Sequence, residues 1–266
     1  MIDIALPGNE IPRVYADTGV ELNMIKDFVV ELQKTDDRIV IIKPTVPIKQ
    51  MLEKDGYPFK SKEHARYVMK YQAKGFDYKS VRAYTKKENT LSGKPIFRPC
   101  PKKLMYQFTE ENTLKISDMC CFRLKEEPLQ KWQEQNNKKY SIIGIMREEG
   151  GRRRNAQCLA FTRKKLKSFH PLAPVTKDWE DWFIDKYNIE ICDIYKEPYN
   201  FTRTGCKGCP FALHLQKELD TLEEFFQNER KQCEIIWKPV YDEYRRLGYR
   251  LKDKVKSEEH GYENNK

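Results

Sequence analysis

Two stretches near the start decide the fold: Ile11-Pro12-Arg13-Val14-Tyr15 and Arg38-Ile39-Val40-Ile41-Ile42-Lys43. Both are short runs rich in β-branched residues, the second stopped by Pro44, and both read as strands. Between them, Leu22, Ile25, Phe28, Val29 and Leu32 recur at helical spacing, so Val20–Lys34 is an amphipathic helix. Strand, helix, strand over about 33 residues is a βαβ unit, which implies parallel strands. A run such as Ile39–Ile42, with no interrupting polar residue, suits a sheet covered on both faces.

Outward from this unit the pattern continues. The stretch from Lys49 to Ala83 is helical in spacing, and Thr85–Pro101 is broken by Gly93, Pro95 and Pro99 into a loop. Ser141–Met146 reads as a third buried strand, and Ile189–Tyr195 as a short one. Thr176 is placed to cap a helix running through Asn188, with Trp179, Trp182, Phe183 and Tyr187 on one side. Leu213–Leu251 is helical with a break near Pro239. The expected fold is α/β, a Rossmann-like parallel sheet flanked by helices, with a helical C-terminal appendage. The expected division is residues 1–212 for the α/β part and 213–266 for the helical extension with its charged tail.

Length and charge narrow the function. A chain of 266 residues can bury a sizeable core, and 39% hydrophobic residues are too many for a disordered chain. The sequence shows no apolar run near membrane-spanning length and no apolar leader at its start, which points to a cytoplasmic protein with no membrane partner. Of a net charge of +10, Lys60–Lys103 alone carries 13 basic residues against Glu63, Asp77 and Glu88. A second block, Ser141–His170, has eight basic residues against Glu148 and Glu149. Such blocks attract polyanions, whether nucleotide phosphates or nucleic acid, and Arg152-Arg153-Arg154 suits phosphate or sulfate through its fork geometry. A solvated lysine-rich surface explains the first block equally well.

Eight cysteines without a secretion signal read as reduced thiols, with metal binding or catalysis favoured over disulfides. Cys120 and Cys121 are adjacent, and Cys206-Lys207-Gly208-Cys209 is a CxxC flanked by Gly205. Four thiolates from two segments can hold an iron–sulfur cluster or a zinc ion. Zinc fits less well, because one half is a tandem pair rather than a second CxxC and the halves stand 85 positions apart. Cys100, Cys158, Cys192 and Cys233 have no paired spacing and read as ordinary thiols.

At these residues the chain resembles a known family. Cys120-Cys121-Phe122-Arg123-Leu124-Lys125-Glu126-Glu127-Pro128-Leu129 is similar to the CC-x-x-R-K-x-x-P-L segment of adenylylsulfate and phosphoadenosine phosphosulfate reductases, with Leu124 in place of the arginine. Gly144–Arg153 resembles their G-x-R-R-x-x-S-x-x-R, with Arg147 and Arg153 on the second and third arginines and departures at Met146 and Gly150. Tyr15-Ala16-Asp17-Thr18-Gly19 is similar to their D-T-G, and His170–Thr176 with Trp179 and Trp182 to the stretch before the cluster loop. The resemblance spans about residues 11–212 and implies a PP-loop (adenine nucleotide α-hydrolase-like) fold. It implies a [4Fe-4S] cluster on Cys120, Cys121, Cys206 and Cys209, and an adenine nucleotide near Asp17 and Thr18. It implies an anionic group held by Lys125, Gly144, Arg147 and Arg153, and a thioredoxin-like electron donor.

Two departures shape the expectations. The family's S-G-G-x-D-S phosphate loop has no counterpart before Asp17. Three outcomes follow: a truncated chain, a separate chain that supplies the loop, or lost nucleotide turnover. A sheet lacking its first strand has an open edge, which a homo-oligomer or another chain would cover. The family's C-terminal nucleophilic cysteine is also missing from Lys252–Lys266, which leaves Cys233 as the candidate, with Arg230 and Lys231 nearby to lower its pKa. The leading expectation is a sulfonucleotide-reductase-like iron–sulfur protein. The alternatives are a PP-loop sulfurtransferase acting on nucleic acid, of the DNA phosphorothioation or tRNA thiolation type, and a non-catalytic remnant that needs a partner.

Overall fold

The computed structural model describes residues 2–96, 98–162 and 164–252, and for Arg152 its backbone alone. The charged tail expected at the C-terminus falls almost wholly outside these residues. After a short helix α1 (Ile2–Ala5), strand β1 (Arg13–Ala16) leads into α2 (Asn23–Thr35) and β2 (Ile39–Ile42). β1 and β2 pair in parallel, Arg13 opposite Ile39 through Ala16 opposite Ile42, so the βαβ expectation holds. The amphipathic helix begins at Asn23 because Asp17–Leu22 is used to turn the chain at the carboxyl end of β1.

Helices α3 (Ile48–Asp55), α4 (Lys62–Lys74) and α5 (Lys79–Lys86) follow. Ser61 caps α4 by accepting from the His64 amide at 3.1 Å, which ends the preceding extended segment. Cys120 and Cys121 open a helix whose next turn, Phe122–Glu126, is widened to π geometry before α6 (Glu127–Gln135). The widening comes just before Pro128, whose ring in a regular helix would press on the carbonyl four residues back. α6 contacts both β1 and β2, and α2 contacts β2, so the parallel pair has helices packed against it.

The chain beyond α6 corrects two sequence expectations. The apolar run Ser141–Met146 is not a third buried strand of the parallel sheet. Only Ser141–Ile142 (β3) is extended, and Ile142 and Ile143 are each about two-fifths exposed. β3 joins a separate sheet of order β3-β5-β4, formed with a hairpin of β4 (Leu159–Thr162) and β5 (Lys165–Phe169). An apolar run specifies extended chain but not the sheet that receives it. Ile189–Tyr195 is not a strand either. Asn188 turns through the left-handed region, and the chain closes into a 3-10 turn at Asp193–Tyr195 that packs Ile194 and Cys192 inward, the Cys192 thiol reaching the Met24 carbonyl at 3.5 Å. Thr176 does cap its helix, α7 (Lys177–Lys186), accepting from the Trp179 amide at 3.3 Å.

Helices α8 (Leu215–Phe225), α9 (Gln227–Ile236) and α10 (Lys238–Arg246) complete the described chain, with Pro239 at the start of α10. They are packed into the main core. Leu215, Leu219, Leu222, Trp237, Val240, Tyr241 and Tyr244 belong to the same buried cluster as Val20, Leu22, Met51 and Leu124. Among the described residues no helix is long and apolar enough to cross a membrane.

Candidate functional site

The carboxyl end of β1 is where an open parallel sheet offers a crevice to ligands. Asp17 continues the β1–β2 pairing by donating its amide to the Ile42 carbonyl at 2.8 Å, and the chain then turns through Thr18 and Gly19. Both Asp17 and Thr18 are buried. Asp17 pairs with Lys26 at 3.0 Å, and its carboxylate accepts from the Gly19 amide at 3.2 Å. Thr18 donates both its amide, at 3.0 Å, and its hydroxyl, at 2.6 Å, to Glu21. Glu21 in turn pairs with Lys125 at 3.3 Å. Glu21 thus ties the Asp17-Thr18-Gly19 turn to the cysteine helix, a role that no residue spacing signals.

The Cys120-Cys121 helix and the Cys206–Cys209 loop meet beside this turn. All four thiols act on one another electrostatically: Cys120 feels Cys121, Cys209 and Cys206, and Cys209 feels Cys206 and Cys121. The adjacent pair shares a hydrogen bond, so one proton leaves readily and the second does not. That bond, then burial, holds the Cys120 thiol protonated, while Cys121 is drawn below the usual thiol range by the same bond and by Lys62 and Lys125. Burial pushes Cys206 up to about 11, against the pull of Lys125, and raises Cys209 further. Burial works against the Lys125 ammonium, yet Cys206, Glu21 and Cys121 together hold its pKa above the ordinary value. Among the described residues no group of three or more His, Cys, Asp or Glu side chains is set to hold a single metal ion. An open cleft of about 450 Å³ lined by Lys62, Arg66, Asp118, Cys121, Phe122 and Glu126 gives access to Cys121.

The CxxC loop is gripped from the C-terminal helices. Lys207 is buried and pairs with Glu229 at 3.2 Å, also donating to Gln232 at 2.6 Å. Trp237 donates its indole N–H to the Lys207 carbonyl at 3.0 Å, Tyr241 donates to the Gly208 carbonyl, and Tyr244 donates to the Pro210 carbonyl at 2.8 Å. The Gly208 amide donates to Glu218 at 2.8 Å. Of the two flanking glycines, only Gly208 has a positive φ, +59°, and a crowded Cβ position. Gly205 has neither, so the turn depends on Gly208 alone. Cys233 is fully buried behind this loop, its thiol pushed up to about 12 mainly by burial. That is the opposite of an exposed, low-pKa nucleophile, and Cys233 serves packing.

The basic residues divide. Arg147 donates to the Ala156 carbonyl at 2.7 Å, and Arg153 pairs with Glu149. Burial and the neighbouring Arg203 cation lower the Arg153 pKa, so two guanidiniums stand close together three residues before Cys206. Gly144 has a regular backbone, and a Cβ there would meet Leu172 at an ordinary 3.5 Å, so the fold does not require glycine at this position. Part of the Lys60–Lys103 charge is used internally: Arg66 pairs with Asp118 at 2.6 Å, Arg82 with Glu88 at 3.0 Å, and the Lys86 ammonium lies 4.2 Å from the centre of the Phe76 ring.

The family model for the phosphoadenosine phosphosulfate reductase domain matches residues 95–212. That segment is similar to the phosphoadenosine phosphosulfate reductase domain. The matched segment holds Cys120, Cys121, Lys125, Gly144, Arg147, Arg153, Cys206 and Cys209, while Asp17, Thr18 and Cys233 lie outside it. No curated protein matches the chain.

Proposed function

We propose that this chain is a sulfonucleotide-reductase-like iron–sulfur protein that binds adenylylsulfate or its 3′-phosphorylated form. The observation that carries the reading is the meeting of four thiols from two distant segments beside Lys125, at the carboxyl end of a parallel strand.

The donor set fits a [4Fe-4S] cluster. Such a cluster takes one thiolate on each of four irons, so its ligands surround a volume instead of converging on a point. Closely grouped thiols, three of them held up by the shared hydrogen bond or by burial, are poor company for one another as anions, and bound iron removes that cost by taking up their charge. Tyr15 supplies a second sign of fit. Its hydroxyl is buried with no hydrogen-bond partner among the described residues, and Cys206, Glu21 and Asp17 are near enough to raise its pKa further after burial has done so. A protonated donor without an acceptor suits a site that receives one from a ligand. Cys120, Cys121, Cys206 and Cys209 would hold the cluster, which supplies fixed charge beside the sulfonucleotide. Lys125 and the Arg153–Arg203 pair would bind the anionic group, and the Asp17-Thr18-Gly19 turn the nucleoside. In the reduction, two thiols of a thioredoxin-like donor would be oxidised to a disulfide and lose two protons, as adenylylsulfate releases sulfite and adenosine monophosphate, or its 3′-phosphorylated form sulfite and adenosine 3′,5′-bisphosphate.

The test is calorimetric titration of the anaerobic protein with adenylylsulfate. Wild type is expected to bind, and Lys125→Ala to bind at least about tenfold more weakly, the effect of losing one charge-assisted hydrogen bond. No binding by wild type, or equal binding by both, contradicts the assignment.

A further inference from the structure

The small sheet β3-β5-β4 carries a face that the sulfonucleotide reading does not use. In its register Leu159 of β4 and Ile142 of β3 both stand opposite Phe169 of β5, so the three form a row across the sheet. All three face solvent, exposed by 47%, 40% and 41% respectively. Ser168, next along β5, points the other way, buried and 2.9 Å from His170 Nε2. Tyr140 and Phe161, at the margins, are more exposed still.

The charge around this row has one sign. From Gly150 to Thr176 there are seven Lys and Arg residues and no acid. Lys138, Lys139, Lys164, Lys165 and Lys167 are exposed, and no carboxylate among the described residues pairs with them. The nearest acids in sequence on the N-terminal side are engaged: Glu148 accepts from the Lys177 amide at 2.6 Å, and Glu149 pairs with Arg153. On the C-terminal side acids return only at α7, where Glu180 and Asp181 pair with Lys177.

We propose that this face binds single-stranded nucleic acid, with a base stacked on Phe169 and phosphates on Lys165 and Lys167. A basic surface with aromatic rings left in solvent is the arrangement that accepts unpaired bases on a sheet face. Duplex suits it poorly, because paired bases present no free ring to stack. A protein strand added at the sheet edge is disfavoured by the lysines beside it. The inference does not depend on the cluster.

The test is fluorescence anisotropy of the full chain with labelled 12-nucleotide single-stranded DNA, single-stranded RNA and duplex DNA, at two salt concentrations. Both single strands are expected to bind more tightly than duplex, and a preference for RNA would mark contacts to the 2′-hydroxyl. Phe169→Ala is expected to weaken single-strand binding about fivefold or more and leave duplex binding unchanged. This ring is exposed, so thermal melting of the variant should match wild type. Lys165→Ala with Lys167→Ala should reduce the salt slope by about 1.4, at roughly 0.7 per phosphate contact. Absence of binding at low salt overturns the proposal. So does binding that is indifferent to strandedness and to the Phe169 change, which would mark charge alone.

Discussion

Gly208→Ala is expected to lower stability by about 3 kcal/mol and to strip the protein of iron. Gly208 sits in the left-handed region, where a side chain costs about 1–2 kcal/mol. Its Cβ would also meet the Tyr241 hydroxyl and lie 2.8 Å from Cys233 Sγ and 2.9 Å from Cys233 Cβ. None of these atoms is a free side-chain end, because Tyr241 and Cys233 are both fully buried, so relief requires the loop to move at the usual overpacking cost of about 1–3 kcal/mol. Any movement of Gly208 shifts Cys206 against Cys209. Gly205→Ala is the control: nothing lies within 4 Å of its Cβ position, and its melting temperature and iron content should stay at wild-type values. Equal effects of the two substitutions would mean that the loop is held by something other than close packing on α9 and α10.

The second large effect is expected at Lys207 and Glu229. Their side chains are 2% and 6% exposed, so removing either partner leaves the other charge buried and uncompensated, at about 3–5 kcal/mol. Glu229→Leu has a further consequence. Glu229 accepts from the Asn23 amide at 3.2 Å, at the start of α2, where the N-cap residue Leu22 offers no side-chain acceptor. A carboxylate there satisfies an open N–H and complements the positive end of the helix. Each single change is expected to lower the melting temperature by about 10 °C, at roughly 2–4 °C per kcal/mol for a chain of this size class. The double change Lys207→Met with Glu229→Leu should recover most of that loss, because an apolar pair of similar volume replaces a buried ion pair at little net cost. Additive losses in the double variant would show that the two side chains act independently.

Particular residues show what was legible in the sequence. The runs at Arg13–Ala16 and Ile39–Ile42 sit around a helix-periodic segment, and local pattern sufficed to place a parallel pair. Thr176 was legible as a cap because its bond is to an amide three residues on. The cysteine spacing pointed to two converging segments, and the fold brings them into one neighbourhood. Ile142 misled because an apolar strand looks the same whether buried or exposed. The β4–β5 hairpin was missed because Lys165 and Lys167 hide its alternation. Glu21 and Glu229 were invisible for another reason. Each acts through a partner distant in sequence, Glu229 meeting Asn23 across 206 positions, and no local periodicity encodes such a contact. The C-terminal helices read as an appendage by composition, yet Trp237, Tyr241 and Tyr244 hold the backbone of the CxxC loop.

The central claim is that Cys120, Cys121, Cys206 and Cys209 hold one [4Fe-4S] cluster. The most direct measurement is iron, acid-labile sulfide and zinc per chain in protein purified without oxygen, for wild type, Cys120→Ser and Cys206→Ser. About four irons and four sulfides in wild type, lost in both variants, is the predicted result. No iron, or a single zinc that survives Cys120→Ser, would contradict it.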